Sequence, residues 1–361
     1  MIHFRGHDKL RTSTIFNFGD HPISIVNEYK YLGLFLNENM EFNRTAQHLA
    51  VAGARALGAI RNKIYSLKDV GFKTFSKLFY SGVVPILDYC SSVWGFKKIK
   101  CIDDIQNRAV RYFLGVHRFC PLPMLEGDMG WDTSLTRRHI SMVKLWNRII
   151  AMSGNRLPSL ILKYNNDHSN RFKNWFSEFE DLIRLTTFQC NVVEFTSISV
   201  DALRKSLKDK QTHDWHNARY QKTKLRYYNL FKHDGETEPY ILSNLTKFER
   251  STYAQFRAGI LPLAIETGRF QNIELNDRLC VFCLGEHPDS RNIEDEFHFL
   301  CECHKYDELR KRLFTKISNK FPEFVNMDNI DKFLLLNTHA QIDTAKFVNK
   351  AYITRRNLIY K

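Results

Sequence analysis

The sequence has no hydrophobic run long enough to cross a membrane. Its most apolar window, residues 79–96, is interrupted by Pro85 and Asp88 and falls short of the ~18 uninterrupted apolar residues that a span requires. The first residues, MIHFRGHDKLR, are polar and lack the apolar segment of a secretory signal peptide. We therefore expect an intracellular protein of the nucleus or the cytoplasm, with no membrane partner and no small-molecule substrate.

Glycine and proline are scarce, with 16 and 9 residues in a chain of 361. This scarcity favours helices over a turn-rich β sandwich. A disulfide framework is also lacking, because four of the 8 cysteines are scattered along the chain. Scattered thiols are typical of a reducing compartment, and we expect them to be buried. These four are Cys90, Cys101, Cys120 and Cys190.

Several catalytic motifs are missing as well. The sequence contains no glycine-rich phosphate loop and no nucleophile elbow. The pair Asp103-Asp104 could be mistaken for the metal-binding box of a polymerase, but acids at the start of a helix favour the positive end of its dipole, so we expect a structural role. His213, Asp214 and His216 could form a nuclease metal site. No acidic run lies near them, and we favour a cluster on a helix surface.

Positive charge is what the sequence has in excess. Lys and Arg number 53 against 39 Asp and Glu, which gives a net charge of +14 and predicts a polyanionic partner, most commonly nucleic acid. The segment 204–232 is the strongest candidate, because basic residues are interleaved there with five aromatic residues. Basic groups neutralise phosphates and aromatic rings stack on unpaired bases. The alternative is that these aromatic residues belong to the core.

The predicted contacts to RNA or DNA lie in this segment and just after it. They are Arg204, Lys205, Lys208, Arg219, Lys222, Lys224, Arg226, Arg257 and Arg269. A second, weaker set lies nearer the N terminus and could equally form a solvated polar face: Arg55, Arg61, Lys63, Lys68 and Lys73.

Residue periodicity predicts a mainly α fold that begins with a short β hairpin. The runs IFNF and ISIV flank Gly19-Asp20-His21-Pro22, which is suited to a hairpin connection. After residue 40, apolar residues recur at helical spacing. Helices are predicted at 43–66, from 72 to a break near Pro85, at 102–113 and at 134–152. One or two more are predicted over 204–232, and two or three over 305–361.

One stretch, LCVFCLGEHPDSRNIEDEFHFLCECHKY, contains four cysteines and three histidines. Cys280 and Cys283 have C-x2-C spacing, in which a tight turn points two thiolates at one metal ion. The second pair of ligands is His298 with either Cys301 or Cys303. If His298 begins a regular helix, Cys301 shares its face. If the segment is a knuckle, Cys303 is the ligand.

His287 and His304 are further candidate ligands in this stretch. Four ligands of these types close the tetrahedral shell of zinc, so we predict a structural site and not a catalytic one. Zinc-binding peptides gain about 10–16 kcal/mol from the metal, which is more than a loop of ~30 residues gains from its own core. Zinc is therefore the predicted cofactor.

Several segments, taken in order, resemble one family. They are FGDHPISIVNEYKYLGLFLN, AVAGARALGAIRNKI, PILDYCSSVWG, IQNRAVRYFLGV, YAQFRAGILPLAIETGRF, RLCVFC and DEFHFLCEC. Over nearly its whole length the chain resembles the C-terminal part of the reverse transcriptases of non-LTR (LINE-type, Jockey-like) retrotransposons. YKYLG, the QNRAVR and FLGV stretch and the Cys-Cys-His-Cys cluster are the most specific pieces of this resemblance.

The resemblance implies an order of regions along the chain. They are a palm remnant at 1–36, a thumb-like helical domain at 37–155, a basic helical linker at 156–270, and a CCHC zinc element with C-terminal helices at 271–361. The spacing of the family, H-x4-C, implies that the zinc ligands are Cys280, Cys283, His298 and Cys303.

The polymerase site of the family is a Tyr-x-Asp-Asp box that binds Mg²⁺, and this sequence has no such box. The resemblance therefore implies a fragment of an RNA-directed DNA polymerase that binds RNA or DNA through its thumb, basic helices and zinc knuckle. Alone, it is expected not to polymerise. Two alternatives are a stand-alone, domesticated zinc-dependent nucleic-acid-binding protein and an inactive structural or pseudogene product.

Overall fold

The computed structural model of the protein describes residues 1–7, 9–171, 173–186, 194–286, 289 and 291–359. Within that part of the chain the fold is mainly helical, with two short β hairpins near the N terminus, and the predicted fold class is confirmed. No helix of these residues combines the length and the hydropathy needed to cross a membrane. Cys190 and His287 lie outside the described residues.

The secondary structure runs in chain order as follows. The strands are β1 (Phe16–Phe18), β2 (His21–Ile23), β3 (Glu28–Tyr31) and β4 (Leu34–Asn37). The helices are α1 (Asn43–Ser66), α2 (Phe72–Gly82), α3 (Val84–Leu87), α4 (Ser91–Trp94), α5 (Lys100–Leu114), α6 (Leu122–Met129), α7 (Ser134–Ile150), α8 (Leu157–Asp167), α9 (Trp175–Arg184), α10 (Val200–Tyr220), α11 (Tyr228–Phe231), α12 (Pro239–Leu242), α13 (Lys247–Arg257), α14 (Ala264–Phe270), α15 (Val281–Glu286), α16 (Asp307–Ser318), α17 (Asn329–Thr338) and α18 (Gln341–Ile359).

Each hairpin is closed by a two-residue turn. β1 pairs with β2, and β3 pairs with β4, in antiparallel register. Gly19 (φ 60°) lies in the first turn, while Leu32 (φ 46°) and Gly33 (φ 89°) form the second, as short hairpin turns with positive φ require. The predicted hairpin is present, but His21 and Pro22 belong to its second strand and not to its turn.

The helices predicted from apolar periodicity before residue 155 are present. α1 covers the predicted 43–66, and α2 ends before Pro85, which lies in the first turn of α3, where its missing N–H removes no helical hydrogen bond. α5 ends before Gly115, whose φ of 64° closes the helix in the left-handed region. α7 starts at a true cap, because the Thr133 side chain accepts from the N–H of Thr136 at 3.1 Å.

The basic segment is more broken than one or two long helices. α10 ends at Tyr220 and is followed by a 3-10 turn over Thr223–Leu225 and by the four-residue helix α11. The tail after residue 305 contains α16, α17 and α18, in agreement with the two or three helices predicted there.

The chain divides into two compact units that are both discontinuous in sequence. The first comprises Met1–Lys63, Lys77–Gln106 and Asp132–Lys208, and the second comprises Ile64–Ser76, Asn107–Trp131 and Asp209–Lys361. The four regions implied by the family resemblance are instead continuous stretches of sequence. The two units do not test the boundaries of these regions, which remain predictions.

The core of the first unit forms around Trp146 of α7. Its indole ring stacks on Phe179 of α9 with ring centroids 4.7 Å apart, and its Nε1 donates to the carbonyl of Thr196 at 2.9 Å. α9 begins with a capping box between Asn174 and Ser177, which satisfies two of the free N–H groups at the helix start. Large stacked rings of this kind supply much of the apolar burial in a helical core.

The core of the second unit contains a buried charge network. Arg257 of α13 is fully buried and donates to both oxygens of Asp128 at 2.9 Å, and its Nη2 lies 3.0 Å from Glu238. The hydroxyls of Tyr228 and Tyr240 also donate to Asp128, at 3.0 and 2.8 Å. Burial lowers the pKa of Arg257, but the two carboxylates raise it well above its usual value, so the network is an ion pair.

The Asp103-Asp104 pair is part of helix α5. Asp103, in the first turn of α5, accepts a hydrogen bond from the Ser134 hydroxyl. Asp104 pairs with Lys100 at 2.9 Å, one helical turn earlier. Both acids therefore have local partners, and neither joins a metal-binding cluster of the described residues.

The histidines of α10 and the scattered cysteines were also considered as functional or buried residues. His213, Asp214 and His216 lie on α10 and form no metal-binding cluster within the described part of the chain. Cys120 is buried as expected, whereas Cys101 is only half-buried and Cys90 is exposed, so the expectation of burial is wrong for Cys90.

Candidate metal centre

Local structure brings the two halves of the cysteine-rich stretch together. A β-bridge joins Leu279 to Ile293, and the N–H of Cys280 donates to the carbonyl of Asn292 at 2.8 Å. α15 starts directly after Cys280 and carries Cys283, so the C-x2-C pair occupies one tight helical turn. The second pair of ligands, His298 and Cys303, follows Ile293 of this bridge in the chain.

The four ligand atoms form one buried cluster. Sγ of Cys303 lies 3.7 Å from Sγ of Cys280 and 3.9 Å from Sγ of Cys283. Nε2 of His298 lies 3.3 Å from Sγ of Cys283. All four ligand atoms lie within 4.8 Å of one another, and all four residues are buried. This cluster can hold a metal ion.

A π-helical turn explains why Cys303, and not Cys301, stands beside His298. Residues His298–Glu302 form this turn, and the N–H of Cys303 donates to the carbonyl of His298 at 2.8 Å. That i→i+5 bond is wider than the bond of an α-helix and brings the fifth residue after the histidine next to it. Cys301 is buried away from the cluster, and burial raises the pKa of its thiol to about 12.

Two polar groups surround the ligands. The Nδ1–H of His298 donates to the Glu302 carboxylate at 3.3 Å, which orients the ring so that Nε2 faces the cluster. His304 is not one of the four ligands; its Nδ1 lies 3.5 Å from Sγ of Cys283, and its Nε2 lies 2.8 Å from the carboxylate of Glu286. His304 was a candidate ligand on the basis of the sequence, but the structure places it just outside the cluster.

The cluster itself favours negative charge on one sulfur. Hydrogen bonds, first from the Cys303 thiol and then from His298, lower the pKa of Cys280 to about 3 against the opposing effect of burial. Burial and the nearby Cys280 charge raise the pKa of Cys283 to about 11. The pKa of Cys303 is also raised, first because its thiol donates to Cys280. A thiolate held in a buried pocket is the ligand form that binds a cation.

The ligand-bearing segment is tied to its surroundings by three consecutive acids. Glu294 pairs with Arg355 of α18 at 2.6 and 2.7 Å and accepts from the N–H of Ala264 at 2.7 Å. The hydroxyl of Tyr227 donates to Asp295 at 2.6 Å. Glu296 is the third acid, and it pairs with Arg226 at 2.5 Å. The metal segment is therefore the point at which α14, α18 and the chain before α11 meet.

Loss of the Glu302 carboxylate is expected to weaken metal binding without removing a ligand. Outer carboxylates that orient a histidine ligand are worth about 10–100-fold in metal affinity. We expect Glu302→Ala to lower the affinity by that factor in a competitive titration against a zinc chelator. Glu308→Ala is the matched control, because Glu308 is exposed and carries the same charge. Equal affinities for the two variants would contradict the assigned orientation of His298.

The predicted nucleic-acid contacts separate into exposed and internal groups. Lys205, Lys222 and Arg269 are exposed, and Lys208 is half-buried. Arg204 is also exposed, although its guanidinium pairs with Asp132 at 2.9 Å. These five side chains can be reached by a phosphate.

The remaining predicted contacts are paired with an acid or buried in the second unit. Lys224 pairs with Glu266, and Arg226 pairs with Glu296 at 2.5 Å. Arg257 is fully buried in the network with Asp128, and therefore has no surface to offer a phosphate. Arg219 is buried as well, at 1% exposure.

Most of the aromatic residues of this segment are core residues. Trp215, Tyr228 and Phe231 are buried, and the Trp215 indole N–H donates to the carbonyl of Pro123 at 2.6 Å. Tyr220 is exposed, at 64%, and Tyr227 is half-buried. Trp215, Tyr228 and Phe231 are therefore core residues, as the alternative interpretation of this segment predicted.

The second set of cations lies on an unusually acid-free stretch. α1 and α2 contain no Asp or Glu, and between them the single acid, Asp69, accepts from Arg250 at 2.9 Å. The five cations of this set are all exposed: Arg55, Arg61, Lys63, Lys68 and Lys73. The acid-free composition of the two helices was readable from the sequence.

The metal site is inferred from the arrangement of the side chains of Cys280, Cys283, His298 and Cys303. When the chain is compared with protein-family models, with curated proteins and with solved structures, no match is found.

Proposed function

We propose that the Cys280, Cys283, His298 and Cys303 cluster is a structural zinc site. Three thiols and one imidazole are a donor set that zinc favours. A tetrahedral zinc with Zn–S bonds of about 2.3 Å places its sulfur ligands about 3.8 Å apart. The Sγ separations of 3.7 and 3.9 Å around Cys303 match that edge, and this match is the observation that carries the proposal.

A structural role follows from how the shell is filled. Four protein ligands leave no open position for a substrate or a reactive water. The acids beside the ligands are already paired with Arg355, Arg226 and Tyr227. The zinc would therefore fix the junction of several helices and would perform no chemistry.

We propose further that the chain binds RNA or DNA, as the palm end, thumb and zinc element of a non-LTR retrotransposon reverse transcriptase. The net charge of +14 and the exposed cations on α1, α2 and α10 support phosphate binding without base readout. The family likeness of YKYLG and of the Cys-Cys-His-Cys element supports the assignment to that enzyme class.

Removing exposed cations is expected to weaken binding in a salt-dependent way. We expect the combined alanine variant of Arg55, Lys73, Lys205 and Lys222 to bind a single-stranded oligonucleotide less tightly, with a slope of log K against log salt reduced by up to about 0.7 per lost contact. Fluorescence anisotropy over a salt series measures this slope. The control removes the same charge from exposed positions near the C terminus: Lys311, Arg312, Lys346 and Lys350. Equal slopes for the two variants would contradict a role of these four cations in binding.

Polymerase activity is expected to be absent. Without a Tyr-x-Asp-Asp box, the chain cannot hold the two Mg²⁺ ions that nucleotide transfer needs. A primer-extension assay on the purified chain with Mg²⁺ should give no product. Template-dependent synthesis would overturn the assignment of this chain to the non-catalytic part of the enzyme.

A further inference from the structure

Arg219, one residue before the end of α10, is a buried cation that has no carboxylate partner among the described residues. The residue is 1% exposed. Its Nη2 donates to the hydroxyl of Tyr220 at 3.2 Å, but Nε and Nη1 have no hydrogen-bond partner among the described residues. Three N–H donors are therefore left without an acceptor.

The other buried arginines of the second unit differ from Arg219 in this respect. Each of them pairs with a carboxylate. The pairs are Arg250 with Asp69, Arg257 with Asp128, Arg310 with Asp307, and Arg355 with Glu294. An unpaired buried charge is costly, and Arg219 lacks the carboxylate that offsets this cost for the other four.

Two aromatic rings hold the guanidinium of Arg219 in place. Its Cζ lies 4.6 Å from the ring centre of Trp215 and 4.9 Å from that of Tyr220. Two stacked rings fix the plane of a guanidinium but leave its N–H edges available. The group is thus pre-organised to meet an acceptor in that plane.

Arg219 influences a neighbouring histidine, and a second cation follows it in the sequence. The pKa of His216 is lowered, first by burial and then by the charge of Arg219, with smaller effects of His233 and His213. Lys222 follows three residues after Arg219 and is exposed. Unpaired N–H donors with a second cation nearby in the sequence are features of phosphate-binding sites.

We propose that Arg219 anchors a binding site for a phosphate-class oxyanion, with the Tyr220 side chain as its movable cover. Tyr220 is 64% exposed, so its ring can leave the guanidinium without disturbing the core. A tetrahedral oxyanion then supplies several acceptor oxygens to the free N–H groups. The site goes beyond the proposed function, because it binds the phosphate group itself, whether free or at the end of a nucleic acid.

Thermal unfolding of the full, metal-loaded chain with inorganic phosphate tests this site. At equal ionic strength, saturating phosphate is expected to raise the melting temperature by about 2 °C or more relative to chloride. Arg219→Met keeps a long stem between the rings and is expected to lose this shift. Lys346→Met removes the same charge from an exposed position of α18 and is expected to keep it. No shift in the unmodified chain, or an equal shift in Arg219→Met, would overturn the proposal.

A second variant keeps the arginine and removes its cover. Tyr220→Ala is expected to bind phosphate at least several-fold more tightly in a calorimetric titration, and affinity that is unchanged or lower counts against the cover and the site together. Oligonucleotides with and without a 5′-phosphate distinguish the sources of the oxyanion. Tighter binding of the 5′-phosphorylated strand that depends on Arg219 assigns the site to a nucleic-acid end, whereas equal binding of the two strands assigns it to free phosphate.

Discussion

Replacing Cys303 by serine is expected to cost the second unit more than about 4 kcal/mol of unfolding free energy. The variant loses one of four ligands and leaves two further thiols and His298 buried without a metal. The loss spreads because the acids between the two ligand pairs join Arg355 of α18 to the same segment. Urea denaturation of the metal-loaded proteins measures the loss, and hydrogen exchange in α18 shows whether it reaches that helix.

Cys301→Ser is the matched control for this variant. It makes the same chemical change at a thiol that is also buried but lies outside the cluster. Placing a hydroxyl at a buried apolar position costs about 1–3 kcal/mol, and exchange in α18 should stay slow. A loss as large as that of the Cys303 variant would mean that metal binding contributes nothing beyond the burial of the side chain.

Arg257→Met is expected to cost about 3–5 kcal/mol, because it leaves the Asp128 carboxylate buried without its cation. Asp128 is 0% exposed, and the hydroxyls of Tyr228 and Tyr240 that also donate to it cannot neutralise a full charge. Chemical denaturation measures the change. Arg269→Met, at an exposed arginine, is the control and should stay within about 0.5 kcal/mol of the parent.

The double variant Arg257→Met with Asp128→Asn sharpens this test. If the cost arises from an unpaired charge, removing the carboxylate as well should restore part of the stability. If the two changes simply add, the ion pair is not what stabilises this core. Nucleic-acid binding by Arg257→Met in native conditions is expected to be unchanged for as long as the variant remains folded.

The helices were predictable because their signals are local. Apolar spacing alone gave the bounds of α1 at 43–66, and Pro85 marked the break after α2. A hydrophobic stripe with period 3.6 is encoded within a few turns of sequence, and no distant residue is needed to find it. The C-x2-C pair was equally local.

The roles of the basic residues could not be predicted, because their partners are distant in the chain. Arg257 and Asp128 are separated by 129 positions, and Arg226 and Glu296 by 70. Composition shows a cluster of positive charge, but only the fold shows which of those charges are already paired. Trp215 and Tyr228 follow the same pattern, since their burial depends on α6, far away in sequence.

The choice between Cys301 and Cys303 as the fourth ligand was only partly predictable from local sequence. The spacing permitted either one, and a regular helix after His298 would have selected Cys301. The observed π-helical turn selects Cys303 through the bond from its N–H to the carbonyl of His298. Such turns are rare, and the spacing of the cysteines and the histidine does not predict them.

The most direct test of the metal centre is the metal content of the purified chain. Elemental analysis should find about one zinc per chain in the parent and in Cys301→Ser, and substantially less in Cys303→Ser. A parent chain without zinc, or a Cys303→Ser variant that keeps it while Cys301→Ser loses it, would contradict the proposal that Cys280, Cys283, His298 and Cys303 close around a single ion.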